Sequence, residues 1–391
     1  MSEENWDDEI YDRMSVADPF RLHNNTHSNR FETIPNGYNN VLSLHQSALQ
    51  AYQSGNMKQA FNYEHEALLE LKEVFHADKT GVNVPILLVV ARNLRVLAYQ
   101  SGQLETAEAT IKKGLVACIA SKNKQKKWGS IEMGNQLMWI YFHLTKLSLC
   151  GSINDQVIRA TSRMGNMSME QIPMSHRVTS QYYRGRLALF NLDPVGAKEA
   201  LDFAFEHCTI DSPKNKRLIL HSLVPTNLLH GIYPTQSLLE KYHCTQYINL
   251  VESVKKGNIG MFEECITKYQ IFFIKKGMFM LIPWIRMLLY RNLFYTLSKI
   301  NKEHKDANQS TSKSKSNILD LSQCETIMTS LSNGGKQYDT NMVQCILAGL
   351  IDHGFIKGYI SHGLNKMVLK KNKATDAIEA FVPIRASMFK K

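Results

Sequence analysis

Residues 338–371 read YDTNMVQCILAGLIDHGFIKGYISHGLNKMVLKK, and a change of apolar period within them decides the fold class. The first half predicts an amphipathic helix that begins at an Asp339 cap and ends at Gly354, where a left-handed cap belongs. Beyond that glycine, FIKGYIS and KMVLKK alternate apolar and polar residues, which predicts a two-stranded hairpin turning at Gly363. The apolar side of the helix is formed by Val343, Ile346, Leu347, Leu350 and Ile351.

A second amphipathic helix, ILDLSQCETIMTSLSN, precedes this stretch. Two helices followed by a hairpin are the element order of a winged helix, and we place that subdomain at residues 318–373. The polar run 301–317, NKEHKDANQSTSKSKSN, lacks residues that could form a core and predicts a linker. The glycines of the hairpin do not form a dinucleotide-binding loop, because that loop follows a strand and opens a helix.

An internal repeat organises the chain before the linker. The string AYQSG occurs at residues 51–55 and 98–102, and an alanine follows each glycine after five residues. Both copies predict a helix, a glycine turn and a second helix, with Ala60 and Ala107 where two helices approach closely. Looser copies follow at 186–208 and 253–273. The pattern predicts helical hairpins of the tetratricopeptide kind, stacked as a rod or superhelix, which favours binding over catalysis.

Charge is distributed unevenly along the sequence. Residues 1–100 hold 8 Lys and Arg against 13 Asp and Glu, whereas residues 101–391 hold 38 against 22, a net charge of +16. Such a field favours an acidic partner, either nucleic acid or an acidic protein. Lysines crowd the hairpin. These lysines could contact phosphates, or they could protect an edge strand against aggregation. Composition alone does not decide between the two interpretations.

Nothing in the sequence forms a catalytic constellation. The seven cysteines are dispersed, without CxxC pairs or matched histidines, which predicts reduced thiols in an intracellular protein and no metal site. The acidic N-terminus lacks the features of a secretory signal, and no apolar run approaches the roughly 20 residues of a membrane span. We expect no enzyme activity, no catalytic residues and no cofactor.

Four stretches carry a specific family resemblance. They begin at KKWGSIEMGNQ, LDFAFEHCTID, FFIKKGMFMLI and VQCILAGLIDH, and they extend over residues 40–372 in one order. The sequence resembles PCI-domain proteins, in particular the PCI-domain-containing protein 2 family, whose members belong to transcription-and-export complex 2. The resemblance implies a mostly α PCI fold, in which a helical-hairpin superhelix is capped by a C-terminal winged helix. It also implies a non-enzymatic scaffold in mRNA export from the nucleus.

The resemblance further implies partners and contact residues. A large PCI-like scaffold subunit is expected beside the winged helix, and a small acidic, disordered subunit shared with the proteasome lid is expected along the helices. Together the winged helices are expected to bind RNA or DNA with little sequence preference. The expected nucleic-acid contacts are Lys357, Tyr359, His362, Lys366, Lys370, Lys371 and Lys373. The expected partner contacts are Lys214, Lys216, Arg217, Arg286 and Arg291.

These observations give one domain scheme and two functional hypotheses. We expect an acidic tail at 1–38, helical repeats at 39–205, the helical part of the PCI domain at 206–300, the linker, the winged helix, and a tail at 374–391. The favoured hypothesis is a scaffold subunit of a nuclear, pore-associated mRNA export complex, with some cytoplasmic protein. The alternative is a protein–protein subunit of a signalosome-like or proteasome-lid-like assembly without nucleic-acid contact.

Overall fold

The computed structural model is mostly α-helical, with one small sheet, which confirms the predicted fold class. It describes residues 39–77, 84–162, 172–307, 317–332, 334, 336–371, 379–384 and 388. The predicted acidic tail 1–38 and Lys373 lie outside this range, and so does most of the predicted tail 374–391.

The helices follow one another with short connections. In the first half of the chain they are α1 Asn39–Gln53, α2 Met57–Ala77, α3 Val84–Ser101, α4 Leu104–Ala120, α5 Lys124–Lys127, α6 Gly129–His143, α7 Leu147–Ser162, α8 Met174–Phe190 and α9 Pro194–His207. In the second half they are α10 Pro213–Leu229, α11 Gln236–Lys241, α12 Ile248–Lys256, α13 Ile259–Lys268, α14 Gln270–Lys275, α15 Ile282–Ala307, α16 Leu321–Leu331 and α17 Thr340–Asp352. The strands are β1 Ile318–Asp320, β2 Gly358–Ser361 and β3 Lys366–Leu369.

The helices divide into two compact units. Among the described residues, one unit contains those up to 187 together with 203–215, and the other contains 188–202 together with those from 216 onward. The division passes through α8, α9 and α10. The boundary at 205/206 that we expect from the sequence stays a prediction.

The repeated AYQSG strings form equivalent turns in the first unit. Gly55 and Gly102 both adopt left-handed φ angles, 80° and 73°. The residue after each glycine donates its backbone N–H to the carbonyl of the repeat's first alanine, at 2.9 Å and 2.7 Å. The following alanines, Ala60 and Ala107, are completely buried. Glycine is favoured here because the turn reverses the chain through φ values that disfavour a Cβ atom. The helical-hairpin prediction is therefore confirmed.

A buried carboxylate ties the first three helices together. Glu64 of α2 is fully buried and lies 2.9 Å from His45 Nδ1 of α1. It also accepts a hydrogen bond from Asn93 Nδ2 of α3 at 3.2 Å. Burial alone lowers the pKa of His45, but the hydrogen bond and charge of Glu64 outweigh it and the pKa is raised. The protonated histidine therefore stabilises the helix packing.

In the second unit, the long helix α15 supports the turn between α12 and α13. Gly257 in that turn has φ 70°, and a Cβ atom there would lie 2.6 Å from Leu293 Cα. Beside it, Asn292 Nδ2 donates to the carbonyl of Val254 at 2.7 Å. Helix α15 continues to Ala307, so the first seven residues of the predicted linker 301–317 are helical. Residues 308–316 lie outside the described range.

A winged helix follows α15. Asp339 caps α17 by accepting from Met342 N at 2.7 Å, and Gly354 ends the helix with φ 75°. The two predicted strands pair antiparallel as β2 and β3. A strand that the sequence did not predict, β1, pairs with the other side of β3 and gives the order β1-β3-β2. The hairpin turn contains Gly363, as expected, but its left-handed residue is Asn365, with φ 53°.

The C-terminal segment 379–384, for which we predicted no structure, packs against the base of the wing. Lys357 N donates to the carbonyl of Ala380 at 2.7 Å, and Val382 N donates to the carbonyl of Phe355 at 3.2 Å. Arg291 of α15 donates to the carbonyl of Val382 at 3.1 Å, and Ala380 is completely buried. This segment therefore links the wing to the long helix.

Candidate nucleic-acid interface

The strand register gathers four of the predicted contacts on the solvent face of the wing. Met367 and Leu369 of β3 point into the core and are buried. Because side chains alternate along a strand, Lys366 and Lys370 point to the opposite face. Tyr359 pairs with Val368 of β3, so it belongs to this outer face, and the residue two positions before it, Lys357, is exposed as well.

We call Lys357, Tyr359, Lys366, Val368 and Lys370 the wing face. Tyr359 is its central aromatic side chain and is 63% exposed. Within the described residues, the three lysines of the wing face form no ion pair. Flat apolar rings between exposed ammonium groups suit a chain of phosphates and bases, because phosphates pair with the charges and bases stack on the ring.

The tip of the wing is held against α17 by polar side chains. His362 Nδ1 lies 2.7 Å from Gln344 Oε1, and Gln344 Nε2 donates to Asn365 Oδ1 at 3.3 Å. Asn365 Nδ2 in turn donates to Ser322 Oγ at 3.0 Å. His362 was expected to contact nucleic acid, and the structure gives its ring a second role in positioning the tip. Leu364, at the tip, is 71% exposed.

The remaining wing lysines are placed differently. Lys371 is half-buried and already interacts within the chain, so it does not belong to the wing face. Lys373 lies outside the described residues. The predicted set of seven therefore separates into four side chains on one surface, one at the tip, one at the base and one undescribed.

Helix α17 contributes no positive charge to this surface. Its sequence, TNMVQCILAGLID, contains no lysine or arginine, and it ends at Asp352. The exposed positions on its outer side are Asn341, Cys345 and Ala348, which are uncharged, and Asp352 at its C-terminal end. Reading base edges in a major groove depends on arginine, lysine, asparagine or glutamine at several positions of one helix. The charge of the winged helix therefore belongs to its sheet and not to this helix.

The expected partner contacts at the start of α10 are largely enclosed. Lys216 is buried and Lys214 is half-buried, and both interact within the chain. Arg217 is half-buried, and its Nε has no hydrogen-bond partner among the described residues. One turn later, burial together with the charges of Lys276 and Arg217 lowers the pKa of His221 to about 3. This region is positively charged, but none of its three basic side chains is fully exposed.

The two arginines of the long helix α15 have partners within the chain. Arg286 Nη2 lies 3.0 Å from Glu263 Oε2 of α13, in a half-exposed ion pair. Arg291 holds the C-terminal segment through Val382, and burial lowers its pKa. Both residues position elements of this chain, and their role toward a partner stays a prediction.

An exposed apolar surface lies around the run FFIKKGMFMLIPW, residues 272–284, whose apolar content would suit a single buried helix. The run FFIKKGMFMLIPW instead ends α14 at Lys275, turns at Gly277 and restarts as α15. Phe273 and Met278 anchor the turn in the core. Four large apolar side chains remain exposed, by 38–71%, and we call them the α14 patch: Ile271, Ile274, Phe279 and Met280. Lys275 is exposed beside them.

Three features bear on other kinds of site. Within the described residues, no group of three His, Cys, Asp or Glu side chains could hold a metal ion. Six of the cysteines are buried, and burial raises the pKa of Cys118 and Cys324 to about 12, so these thiols are not nucleophiles at neutral pH. Among the same residues, every helix is too short or too polar to cross a membrane.

Proteins from distant organisms are similar to this chain over most of its length. PCI domain-containing protein 2 of Xenopus laevis is 32% identical over 352 residues, 85% of this chain and 83% of that protein. The PCI domain-containing protein 2 homolog of Dictyostelium discoideum is 34% identical over 249 residues, 64% of this chain and 54% of that protein. Enhanced ethylene response protein 5 of Arabidopsis thaliana is 26% identical over 343 residues, 85% of this chain and 80% of that protein. No protein-family model matches the chain.

Proposed function

The chain belongs to the PCI domain-containing protein 2 family, and from this premise we propose that it is a non-enzymatic scaffold subunit of a nuclear mRNA export complex. Proteins with this domain are generally scaffolds. The helical hairpins and the winged helix supply surfaces for partners, and the resemblance to export-complex subunits gives the biological setting. The proposed location is the nucleus, including the nuclear envelope and pore, with some protein in the cytoplasm.

The wing face is the proposed contact with RNA or DNA. The observation that carries this proposal is the convergence of Lys357, Lys366 and Lys370 around the exposed ring of Tyr359. Ammonium groups attract phosphates without reading sequence, and an exposed ring stacks on any base. The absence of basic residues from α17 favours backbone contact over base reading, so binding should tolerate many sequences.

Two protein partners complete the proposed assembly. The outer side of α17, which is small and uncharged from Asn341 to Ala348, permits close approach of a second winged helix, which fits the large PCI-like scaffold subunit. The α14 patch, with Lys275 beside it, suits a short acidic and apolar segment of the kind that a small disordered subunit offers. Apolar contact and charge attraction would then act together on the same segment.

A salt titration of RNA binding by the complex tests the wing face. Neutralising three phosphates of a single strand, one for each lysine of the wing face, gives a slope of log affinity against log salt of about −2, which is about a 20-fold loss between 50 and 200 mM salt. We expect the quadruple change of Lys357, Lys366, Lys370 and Lys371 to glutamate to remove this slope and most of the affinity. An unchanged slope and affinity would show that the wing is not the contact.

A matched variant controls for net charge. Changing four exposed lysines elsewhere to glutamate alters the total charge equally, but leaves the wing face intact. Its affinity should fall only through the weaker long-range field, and its slope should stay near that of the unmodified complex. The lysines for this control are Lys58, Lys112, Lys122 and Lys255.

The second candidate function is a protein–protein subunit of a signalosome-like or proteasome-lid-like assembly. The outer side of α17, which lacks basic residues, and the α14 patch favour it, because both suit proteins better than nucleic acid. Capture of the tagged chain from nuclear extract separates the candidates. Signalosome or lid subunits without the export scaffold would favour the second function, and the export scaffold with RNA would favour the first.

A further inference from the structure

The first fourteen residues, MSEENWDDEIYDRM, combine acidic and aromatic side chains. They hold six Asp and Glu against one Arg, whereas residues 39–391 carry 43 Lys and Arg against 27 Asp and Glu. Alternate positions follow a regular order of acid, apolar, acid, apolar, acid: Glu4, Trp6, Asp8, Ile10 and Asp12. In an extended chain these five side chains share one face, because successive residues point to opposite sides.

The wing face has the complementary pattern at the same spacing. Lys366, Val368 and Lys370 alternate base, apolar and base along β3. The two lysines are four residues apart, which is roughly 13 Å along a strand. Two carboxylates of the alternating set, such as Glu4 and Asp8, are separated by the same number of residues and enclose Trp6. Tyr359 lies beside Val368 and offers a ring for the indole.

We propose that residues 1–14 dock on the wing face of the same chain and occupy it in place of nucleic acid. A segment of carboxylates and rings offers the wing the features it would meet in a single strand, namely negative charges at intervals and flat apolar groups between them. The docking is independent of the proposed function. The competition with nucleic acid rests on the proposed function.

The length of the connecting chain sets the reach of the segment. Residues 15–38 separate the segment from the start of α1 at Asn39 and span up to about 80 Å when extended. A tether of this length gives an effective concentration of about 1 mM. If the segment alone binds with a dissociation constant of about 0.1 mM, docking weakens the apparent affinity for RNA about tenfold.

Zero-length carbodiimide cross-linking of the full chain reads the contact directly. The reagent joins a carboxylate to an ammonium group only where the two meet. We expect cross-links from residues 1–14 to Lys357, Lys366 or Lys370, and their loss in 0.5 M salt. Mixing isotope-labelled and unlabelled chains should give no mixed pairs. Mixed pairs, cross-links only to Lys275 beside the α14 patch, or no cross-links from this segment would each overturn the docking.

Two triple variants with equal charge test the register. Glu4→Gln, Asp8→Asn and Asp12→Asn neutralise the alternating set. Glu3→Gln, Asp7→Asn and Glu9→Gln neutralise the opposite face of the same segment. The first variant should lose most cross-links to the wing, because only its remaining carboxylates can still form them. It should bind single-stranded RNA about tenfold more tightly. The second should keep the cross-links to the wing and change RNA affinity less than threefold. Equal effects would overturn the register.

The two readouts separate failure of the inference from failure of the proposed function. RNA binding that depends on the wing lysines, without cross-links from residues 1–14, overturns the docking and leaves the proposed function standing. In another outcome, cross-links to the wing form, but RNA affinity is unchanged by substitution of either the wing lysines or the acidic residues. That outcome supports the docking and overturns the competition. Tighter RNA binding by the first triple variant together with wing cross-links supports both.

Discussion

Two glycines with the same backbone conformation should respond very differently to alanine. Gly257 and Gly277 have φ angles of 70° and 71°, and both end a helix in the second unit. A Cβ atom at Gly277 would meet nothing within 4 Å, whereas a Cβ atom at Gly257 would lie 2.6 Å and 2.7 Å from the Cα and N atoms of Leu293. The pair isolates the cost of a close helix approach from the cost of the left-handed conformation.

The expected free energies follow from these two terms. Placing a non-glycine residue in the left-handed region costs about 1 kcal/mol, and this applies to both positions. Forcing an extra carbon into backbone that cannot move aside adds about 1–3 kcal/mol, and this applies only to Gly257. Gly277→Ala should therefore lower the free energy of unfolding by about 1 kcal/mol, and Gly257→Ala by about 2–4 kcal/mol.

Urea denaturation followed by circular dichroism measures both variants, and hydrogen exchange of peptides from α12 and α15 locates the effect. Exchange in these helices should increase more in Gly257→Ala than in Gly277→Ala. Equal losses of stability in the two variants would refute the reasoning, because the contact with Leu293 would then carry no energy. RNA affinity of the folded fraction should change little in either variant.

Three further changes test other contacts. Tyr359→Ala should weaken single-stranded RNA binding by about 1–3 kcal/mol while Tyr359→Phe keeps it, and equal losses would exclude stacking. Arg291→Ala should speed amide exchange at Lys357 and Val382 by freeing the C-terminal segment, and unchanged exchange would remove the arginine from that role. The raised pKa of His45 contributes stability that is fully present below about pH 6.5 and is lost as pH rises through the folded-state pKa. His45→Gln should therefore flatten the fall in urea midpoint between pH 6 and 9, and an equal fall in the variant would contradict the pairing with Glu64.

Features governed by local rules could be predicted from the sequence. Asp339 caps α17 and Gly354 ends it, because both roles depend on the residue type and its immediate neighbours. The repeated glycines at 55 and 102 marked their turns for the same reason. The alternation in KMVLKK likewise placed Lys366 and Lys370 on one face before any partner strand was known.

Features that depend on distant partners could not be predicted. Three residues at 318–320 become a strand only because β3 lies beside them, and no local signal distinguishes them from the start of a helix. The run at 271–284 has the apolar content of a buried helix, yet its turn at Gly277 leaves Ile271 and Met280 exposed. Apolar content shows that a segment can be buried. How much of the segment is buried depends on how many neighbouring elements pack against it.

The sequence by itself determined the family, the helical class, the winged-helix order and the sign of the charge. These properties are carried by residue type and spacing, so they can be read along one dimension. Only the tertiary structure decided which charges remain available. Arg291 donates a hydrogen bond to its own chain and Lys216 is buried. Lys357, Lys366 and Lys370, in contrast, lie exposed around Tyr359. A charged side chain is available to a partner only if it is not already paired with a group of its own chain. Only the folded structure determines which side chains are paired in this way.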